Sequence, residues 1–347
     1  MAQSTVLVTG VTGFIAHYIV DKLLARKYGV IGTVRSETKG KNIVGKFKEL
    51  YPDADFTYEI VPDIATPNAF DEVMKKHTEI LYVIHTASPV TYDKTKSYEI
   101  GYLKPALDGT LNILHAIKKY SPQVTNVVLT SSFAAVRQQG DLYHTAIHTK
   151  DSWNPIKWED VKTEGNAYSA SKTAAEKAAR KFYEDEKPKY KLATVNPPFV
   201  LGPQFFVESV AKSLNYSNDM LSRITGIDPS TTGPLSSCAF LAIHVKDIAE
   251  FHILPLENKE LASERIFVAA SPIIAQKVLN ILNDNFPELD GKIAKGDYDS
   301  ADSLMAKFCP KYDISSTLEK VGGYEFIGLE ESVVSVYKQY LSIFNID

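Results

Sequence analysis

Three side chains in this sequence could move a proton onto a carbonyl oxygen: Tyr168, Lys172 four residues later, and one serine of the pair Ser131-Ser132. Hydride reduction of a C=O group puts negative charge on oxygen. A phenol can hydrogen-bond that oxygen and protonate it, but its ordinary pKa near ~10 is high for neutral pH. An ammonium one helical turn away favours the tyrosinate. At about 4 Å and an effective dielectric near ~20, the attraction is on the order of 4 kcal/mol. A serine hydroxyl would give the developing oxyanion a second hydrogen bond, and loss of one such donor typically costs ~10²–10³ in rate. Adjacent strand residues face opposite ways, so Ser131 and Ser132 are both candidates at this point.

Spacing alone selects nothing, because Tyr-x-x-x-Lys occurs at Tyr18/Lys22, Tyr92/Lys96, Tyr168/Lys172 and Tyr183/Lys187. Only Tyr168/Lys172 opens a predicted helix and follows a strand, Val127–Thr130, that runs into serine. In a parallel sheet, strand C-termini and helix N-termini gather on the ligand side.

A second signature could hold a dinucleotide. The apolar run Val6-Leu7-Val8 leads into Thr9-Gly10-Val11-Thr12-Gly13-Phe14-Ile15-Ala16. Gly10 suits a tight turn, Gly13 lets backbone approach a pyrophosphate, and Ala16 permits close helix–strand packing. The helix starting near Phe14 and Ile15 would aim its amides and dipole at the phosphates, with Thr12 in the turn. The next strand ends in Arg35 where an NAD site would carry an acid, and no acid precedes Glu37. A guanidinium there can fork onto a 2′-phosphate, and Lys39 could add a second charge, so the expected cofactor is NADP(H).

Positioning these groups requires an α/β sheet. Short apolar runs at Val6–Thr9, Val30–Val34, Tyr58–Val61, Leu81–His85, Val127–Thr130 and Leu192–Asn196 alternate with helical stretches at 15–26, 69–76, 102–120 and 168–186. Continuous rather than alternating hydrophobicity indicates strands covered on both faces, a Rossmann-type doubly wound parallel sheet. Pro188 ends the Tyr168 helix. From Asn196-Pro197-Pro198 to Pro203 neither regular helix nor central strand is expected. Residues 1–199 are read as the NADP-binding domain, its sheet completed by about 238–270, and 200–237 with 271–347 as a smaller substrate-binding domain. Phe205-Phe206 suits either a substrate lid or the small domain's core.

Other function classes are disfavoured. The net charge of -4 gives no footprint for nucleic acid or an anionic membrane. No apolar stretch approaches the ~20 residues of a membrane helix. Cys238 and Cys309 are too few for a disulfide framework, which points to a reducing, cytoplasmic setting. His144-x-x-x-His148 has two-ligand spacing, but no adjacent Glu completes a zinc motif, and no metal is expected.

Taken together, these residues resemble the extended short-chain dehydrogenases/reductases, more narrowly the dihydroflavonol-reductase-like branch and its fungal NADPH-dependent methylglyoxal/3-methylbutanal reductases. The resemblance runs nearly end to end. It rests on the glycine turn, Val34-Arg35-Ser36, Pro62-Asp63-Ile64, His85-Thr86-Ala87-Ser88-Pro89, Leu129-Thr130-Ser131-Ser132, Glu164 through Ala179, Val195-Asn196-Pro197 and His244 through Ala249. It implies that Ser132, Tyr168 and Lys172 are catalytic. It further implies that Asp63 and Ile64 meet the adenine, that Thr86, Ala87 and Ser88 line the cofactor's ribose side, and that Pro197 and Val200 reach the nicotinamide carboxamide. Val90, Phe133 and Phe199 would border the substrate, a small aldehyde or ketone. Where relatives resemble Phe, Tyr and Tyr at these three positions, this chain implies a roomier, less polar pocket suited to bulkier or more apolar carbonyls. A monomer or homodimer is expected. A sugar-nucleotide epimerase or dehydratase shares the fold, and Arg35 stands against it; a non-catalytic NADP sensor would tend to lose Tyr168.

Overall fold

The computed structural model describes residues 4–88, 97–137, 146–210 and 214–344. The chain forms two compact units, one of residues 1–139, 150–196 and 249–267, the other of 140–149, 197–248 and 268–347.

The first unit begins with an alternation of β1 (Thr5–Thr9), α1 (Phe14–Ala25), β2 (Gly29–Val34), α2 (Glu37–Leu50), β3 (Phe56–Ile60), α3 (Asp71–Lys76), β4 (Ile80–His85), α4 (Lys104–Tyr120) and β5 (Asn126–Thr130). After β6 (Ile147–His148), a second-unit strand, it continues with α5 (Glu164–Glu186) and β7 (Lys191–Asn196). The chain then passes through β8 (Phe199–Leu201), α6 (Tyr216–Thr225), β9 (Phe240–His244) and α7 (Val245–Glu257) to β10 (Arg265–Phe267).

Seven strands make one sheet in the order β10-β7-β5-β4-β1-β2-β3, and every pairing in it is parallel. The strand order reverses between β1 and β4, which is where a doubly wound sheet opens its ligand crevice. This is the expected Rossmann-type fold. Its central strands read as unbroken apolar runs because both faces are covered; Leu7, Ile31, Val83, Val127 and Leu192 pack with Phe70, just before α3, and with Ile113 and Phe182 from α4 and α5.

Helix α5 carries Tyr168 and Lys172, and its sequence explains its length. Thr163 caps it by accepting the Asn166 amide at 3.2 Å. Its interior is rich in Ala, Lys and Glu. Lys187 ends it in the left-handed conformation, φ 41°, immediately before Pro188.

The second unit has β8 and β9 parallel and β11 (Ser271–Ile273) antiparallel to β9. Around them pack α6, α8 (Ala275–Asn285) and α11 (Leu329–Phe344) through Leu201, Ile224, Leu279, Phe286 and Val336. Shorter elements complete the unit: α9 (Ala301–Phe308), β12 (Lys311–Tyr312), paired with β6, and α10 (Ser315–Lys320).

Two expectations need correction. Residues 238–270 were read as completing the main sheet, but only β10 joins it; β9 forms the centre of the second sheet. A buried apolar strand looks the same in either sheet, since its pairing partner is set by distant residues. The stretch from Pro197 to Ser237 reads from the sequence as rich in loop, and it contains α6. Phe199–Leu201 does become a strand, but an edge one, with prolines on both sides.

Candidate active site

The turn after β1 has the geometry of an anion cradle. Gly10 sits at φ +69°, and a Cβ there would lie 3.1 Å from Ala87 Cα, beyond the end of β4. Val11 is fully buried, and it fits because Gly32 of β2 has no side chain to meet its methyls. The Gly13 amide donates to Gly10 O at 2.9 Å. Helix α1 then starts with no side-chain cap and no acid in its first turn. Its leading amides and positive dipole end are thus available to a phosphate. Thr12 and Gly13 are exposed, and Phe14 and Ile15 half-buried.

Thr9 ties this turn to β4. Its carbonyl accepts from Thr86 Oγ1 at 2.5 Å, and its hydroxyl accepts the Ala87 amide at 3.1 Å and meets His85 Nδ1 at 2.9 Å. Burial, reinforced by Lys172, pushes the His85 imidazole down to about 3, so it is neutral at pH 7.

Arg35 and Lys39 are exposed beyond β2 and on the first turn of α2. The nearest acid, Glu37, is paired with Lys41 at 2.7 Å, which leaves the two cations for an anionic ligand. In the loop after β3, Asp63 Oδ1 accepts the Ala65 amide at 2.9 Å. Asn112 of α4 donates both amide hydrogens into the same loop, to Ile64 O and Thr66 O at 2.8 Å each. The Ile64 side chain occupies space over Gly109, where a Cβ would lie 2.6 Å from its Cδ1.

Tyr168 and Lys172 lie one turn apart at the start of α5. The Lys172 ammonium is 5.9 Å from the centre of the Tyr168 ring. Tyr102, on a π-helical turn leading into α4, meets that ring edge-on at 6.3 Å and donates its hydroxyl to Glu164 at 2.7 Å. Burial pushes the Lys172 ammonium down to about 8, with Glu176 acting the other way. Ala87, Ser88, Ser131 and Lys172 line a common pocket, so the turn beyond β4, the end of β5 and the start of α5 face one space.

The two serines have different partners. Ser131 donates its hydroxyl to Glu176 Oε2 at 2.6 Å. Ser132 instead accepts the Ala134 amide on its Oγ at 3.1 Å, which leaves its own hydroxyl hydrogen to donate. Asn196 at the end of β7 bridges Ser132 O, at 3.1 Å, and Glu176 Oε2, at 2.7 Å. Sequence reasoning gave no role to Asn196, Glu176, Asn112 or Tyr102. None of the four left a signal of its role; Glu176 reads as one more acid on a charged helix.

Of the other candidates, Phe133 is buried and stacks on Phe267, centroids 5.0 Å apart at 8°. Pro197, Phe199 and Val200 belong to the second unit, where Phe199 stacks on Phe240 at 4.3 Å. Phe205 and Phe206 meet edge-on at 4.9 Å. Val90, Tyr92/Lys96 and His144 lie outside the described residues. Among the described residues no group of three or more His, Cys, Asp or Glu side chains could hold a metal ion, and no helix is long and apolar enough to cross a membrane.

Residues 6–270 match the sequence profile of the NAD dependent epimerase/dehydratase family. The chain is 38% identical to the NADPH-dependent methylglyoxal reductase GRE2 of Saccharomyces cerevisiae, over 97% of this chain and 98% of that one. It is 34% identical to the ketoreductase azaE of Aspergillus niger, over 84% and 85%. The crystal structure of Gre2 from Candida albicans with NADPH superposes with a TM-score of 0.90 at 37% identity, covering 98% of this chain and 99% of that one.

Proposed function

The chain belongs to the NAD dependent epimerase/dehydratase family, and we propose that within it this protein reduces small aldehydes and ketones to alcohols with NADPH. The observation that carries this most directly is Lys172, buried one turn from Tyr168, in a pocket shared with Ala87 and Ser88 beside the glycine turn. The NADPH-dependent methylglyoxal reductase and the ketoreductase among its relatives support the same chemistry.

The chain's own residues fit the cofactor. The Gly10–Ile15 turn, with Thr12 and Gly13 open to solvent, takes the pyrophosphate at the uncapped start of α1. Arg35 and Lys39 take the 2′-phosphate. Asp63 and Ile64 take the adenine, and Thr86, Ala87 and Ser88 the ribose side, with Pro197 and Val200 towards the nicotinamide. NADPH, when bound, supplies the hydride for the carbonyl carbon. As the C=O π pair moves onto oxygen, Ser132 donates a hydrogen bond to it and Tyr168 delivers the proton. Lys172 stabilises the tyrosinate left behind.

Phe133 and Phe199 bring no hydroxyl to the substrate, which favours apolar carbonyl compounds over polar ones; Val90 is assigned to the same border. The two free cysteines fit a cytoplasmic setting, and the proposed form is a monomer or homodimer. Purified protein mixed with NADPH and a panel of aldehydes and ketones should consume NADPH absorbance, and Tyr168→Phe should abolish the loss. Absence of turnover across the panel overturns the assignment.

A further inference from the structure

Glu176 is 3% exposed, yet it is ionised and surrounded. Burial works against its charge, but Arg265, then Ser131 and Asn196, carry its pKa below the ordinary carboxylate range. Both oxygens are engaged. Oε1 accepts from Arg265 Nε at 2.6 Å and Thr194 Oγ1 at 3.2 Å; Oε2 accepts from Ser131 and Asn196. Arg265 is equally committed. Its other nitrogens reach the carbonyls of Lys150, Ser152 and Ala135, and its guanidinium stacks 3.8 Å from the centre of the Trp153 ring. Such a pair is expensive to bury and is weak evidence of a stability role. Its partners suggest another one.

Resting on the reductase reading above, we propose that Glu176 is a positioning residue for the reaction: its carboxylate fixes the end of β5 through Ser131 and Asn196, and it supplies the counter-charge for the Lys172 ammonium one turn earlier on α5. The Asn196 bridge makes the first part concrete. One side chain joins the Glu176 carboxylate to the carbonyl of Ser132, so a shift of the carboxylate displaces the serine that is to meet the substrate.

The second part follows from counting charges. Around the pocket, α5 contributes Tyr168, Lys172, Glu176 and Arg180, β10 contributes Arg265, and β4 contributes His85, neutral and bound to Thr9. His252 of α7 meets Thr130 Oγ1 at 2.8 Å behind β5. The remaining partners carry no charge: Ala106, Thr110, Ser131 and Thr194 line the pocket, and Asn196 meets Glu176. Glu176 is the carboxylate that acts on all three of these cations, Lys172, Arg180 and Arg265, while Glu184 acts on Arg180 only. Without it, Lys172 faces only like charge and releases its proton more readily, and Tyr168 loses the cation that favours its ionisation.

The opposite change is also available. Arg180 is part-exposed and approaches Glu176 Oε1 with its Nε at 3.5 Å. Removing that cation leaves more of the carboxylate's field for Lys172.

The experiment titrates Tyr168 by tyrosinate absorbance, each protein being read against the same chain carrying Tyr168→Phe. Glu176→Gln should move the midpoint up by about one pH unit or more, and Arg180→Gln should move it down by less. The acid limb of alcohol oxidation with NADP⁺ should move in the same two directions, and Glu176→Asp should restore part of the first shift. An unmoved midpoint in a folded Glu176→Gln protein, whatever its activity, would mean a purely structural carboxylate and would overturn the proposal. If Glu176→Gln does not fold, Arg180→Gln decides: a downward shift supports the proposal, and no shift or an upward one overturns it. Failure of the unaltered chain to turn over any carbonyl would strike the reductase reading instead, and the absorbance titration distinguishes the two because it needs no cofactor.

Discussion

The hydroxyl of Ser131 is donated to the buried Glu176 carboxylate at 2.6 Å, so of the two serines after β5 it is the one already committed within the protein. Ser132→Ala should therefore lower kcat by ~10²–10³. Ser131→Ala, which keeps the Asn196 tether to Glu176 Oε2, should lower kcat far less while destabilising the fold by about 1.5–3 kcal/mol, the worth of one hydrogen bond to a charged group. Steady-state kinetics and urea unfolding on both variants separate these effects. Equal kinetic losses would contradict the assignment.

Gly10 holds a left-handed backbone against Ala87. An added methyl would incur ~1–2 kcal/mol of backbone strain as well as the close contact. Gly10→Ala should weaken NADPH binding by about tenfold or more, as measured by calorimetric titration. Unchanged affinity would remove the turn from the binding site.

Arg35 and Lys39 have no acidic partner among the described residues, since Glu37 pairs with Lys41. Charge-assisted contacts to a phosphate are worth about 1.5–3 kcal/mol, so Arg35→Ala with Lys39→Ala should raise KM for NADPH by roughly tenfold to a hundredfold. NADH kinetics should barely change. A parallel rise for both cofactors would place the 2′-phosphate elsewhere.

Three buried imidazoles set a pH dependence of stability. Burial pushes His85 down to about 3 and His17 and His244 to about 4, from 6.5 when unfolded. Folded values below unfolded ones mean that the unfolded chain binds protons first as pH falls. Stability is full above pH ~6.5 and declines below it, by on the order of several kcal/mol near pH 4. Urea midpoints measured from pH 7 to 4.5 should fall, and His85→Gln should flatten the slope; a pH-independent midpoint would contradict the buried neutral state.

Much of this was legible in the residues, for identifiable reasons. Central parallel strands must be apolar on both sides, so β1, β2, β4, β5 and β7 announced themselves, and the position of Arg35 directly after β2 followed from them. The sheet to which Phe240–His244 belongs was not readable, because an apolar run carries no label for its partner. Helix α6 was hidden by its short, mixed sequence after a proline-rich segment. Glu176 looked like one more solvated acid on a charged helix. Its burial depends on Arg265, 89 residues further on, and no local pattern reports such a partner. Strand alternation left Ser131 and Ser132 equal, and only the family resemblance pointed to Ser132; the hydrogen bond that commits Ser131 to the same carboxylate has no local signal.

The two hydrogen bonds from Asn112 to Ile64 O and Thr66 O have a thermodynamic corollary. A loop moulded in advance by a helix need not be frozen when a base arrives. Ordering backbone takes ~1–2 kcal/mol per residue, and here that penalty is met during folding, so the adenine end would act as a ready-made anchor that tethers the rest of the molecule.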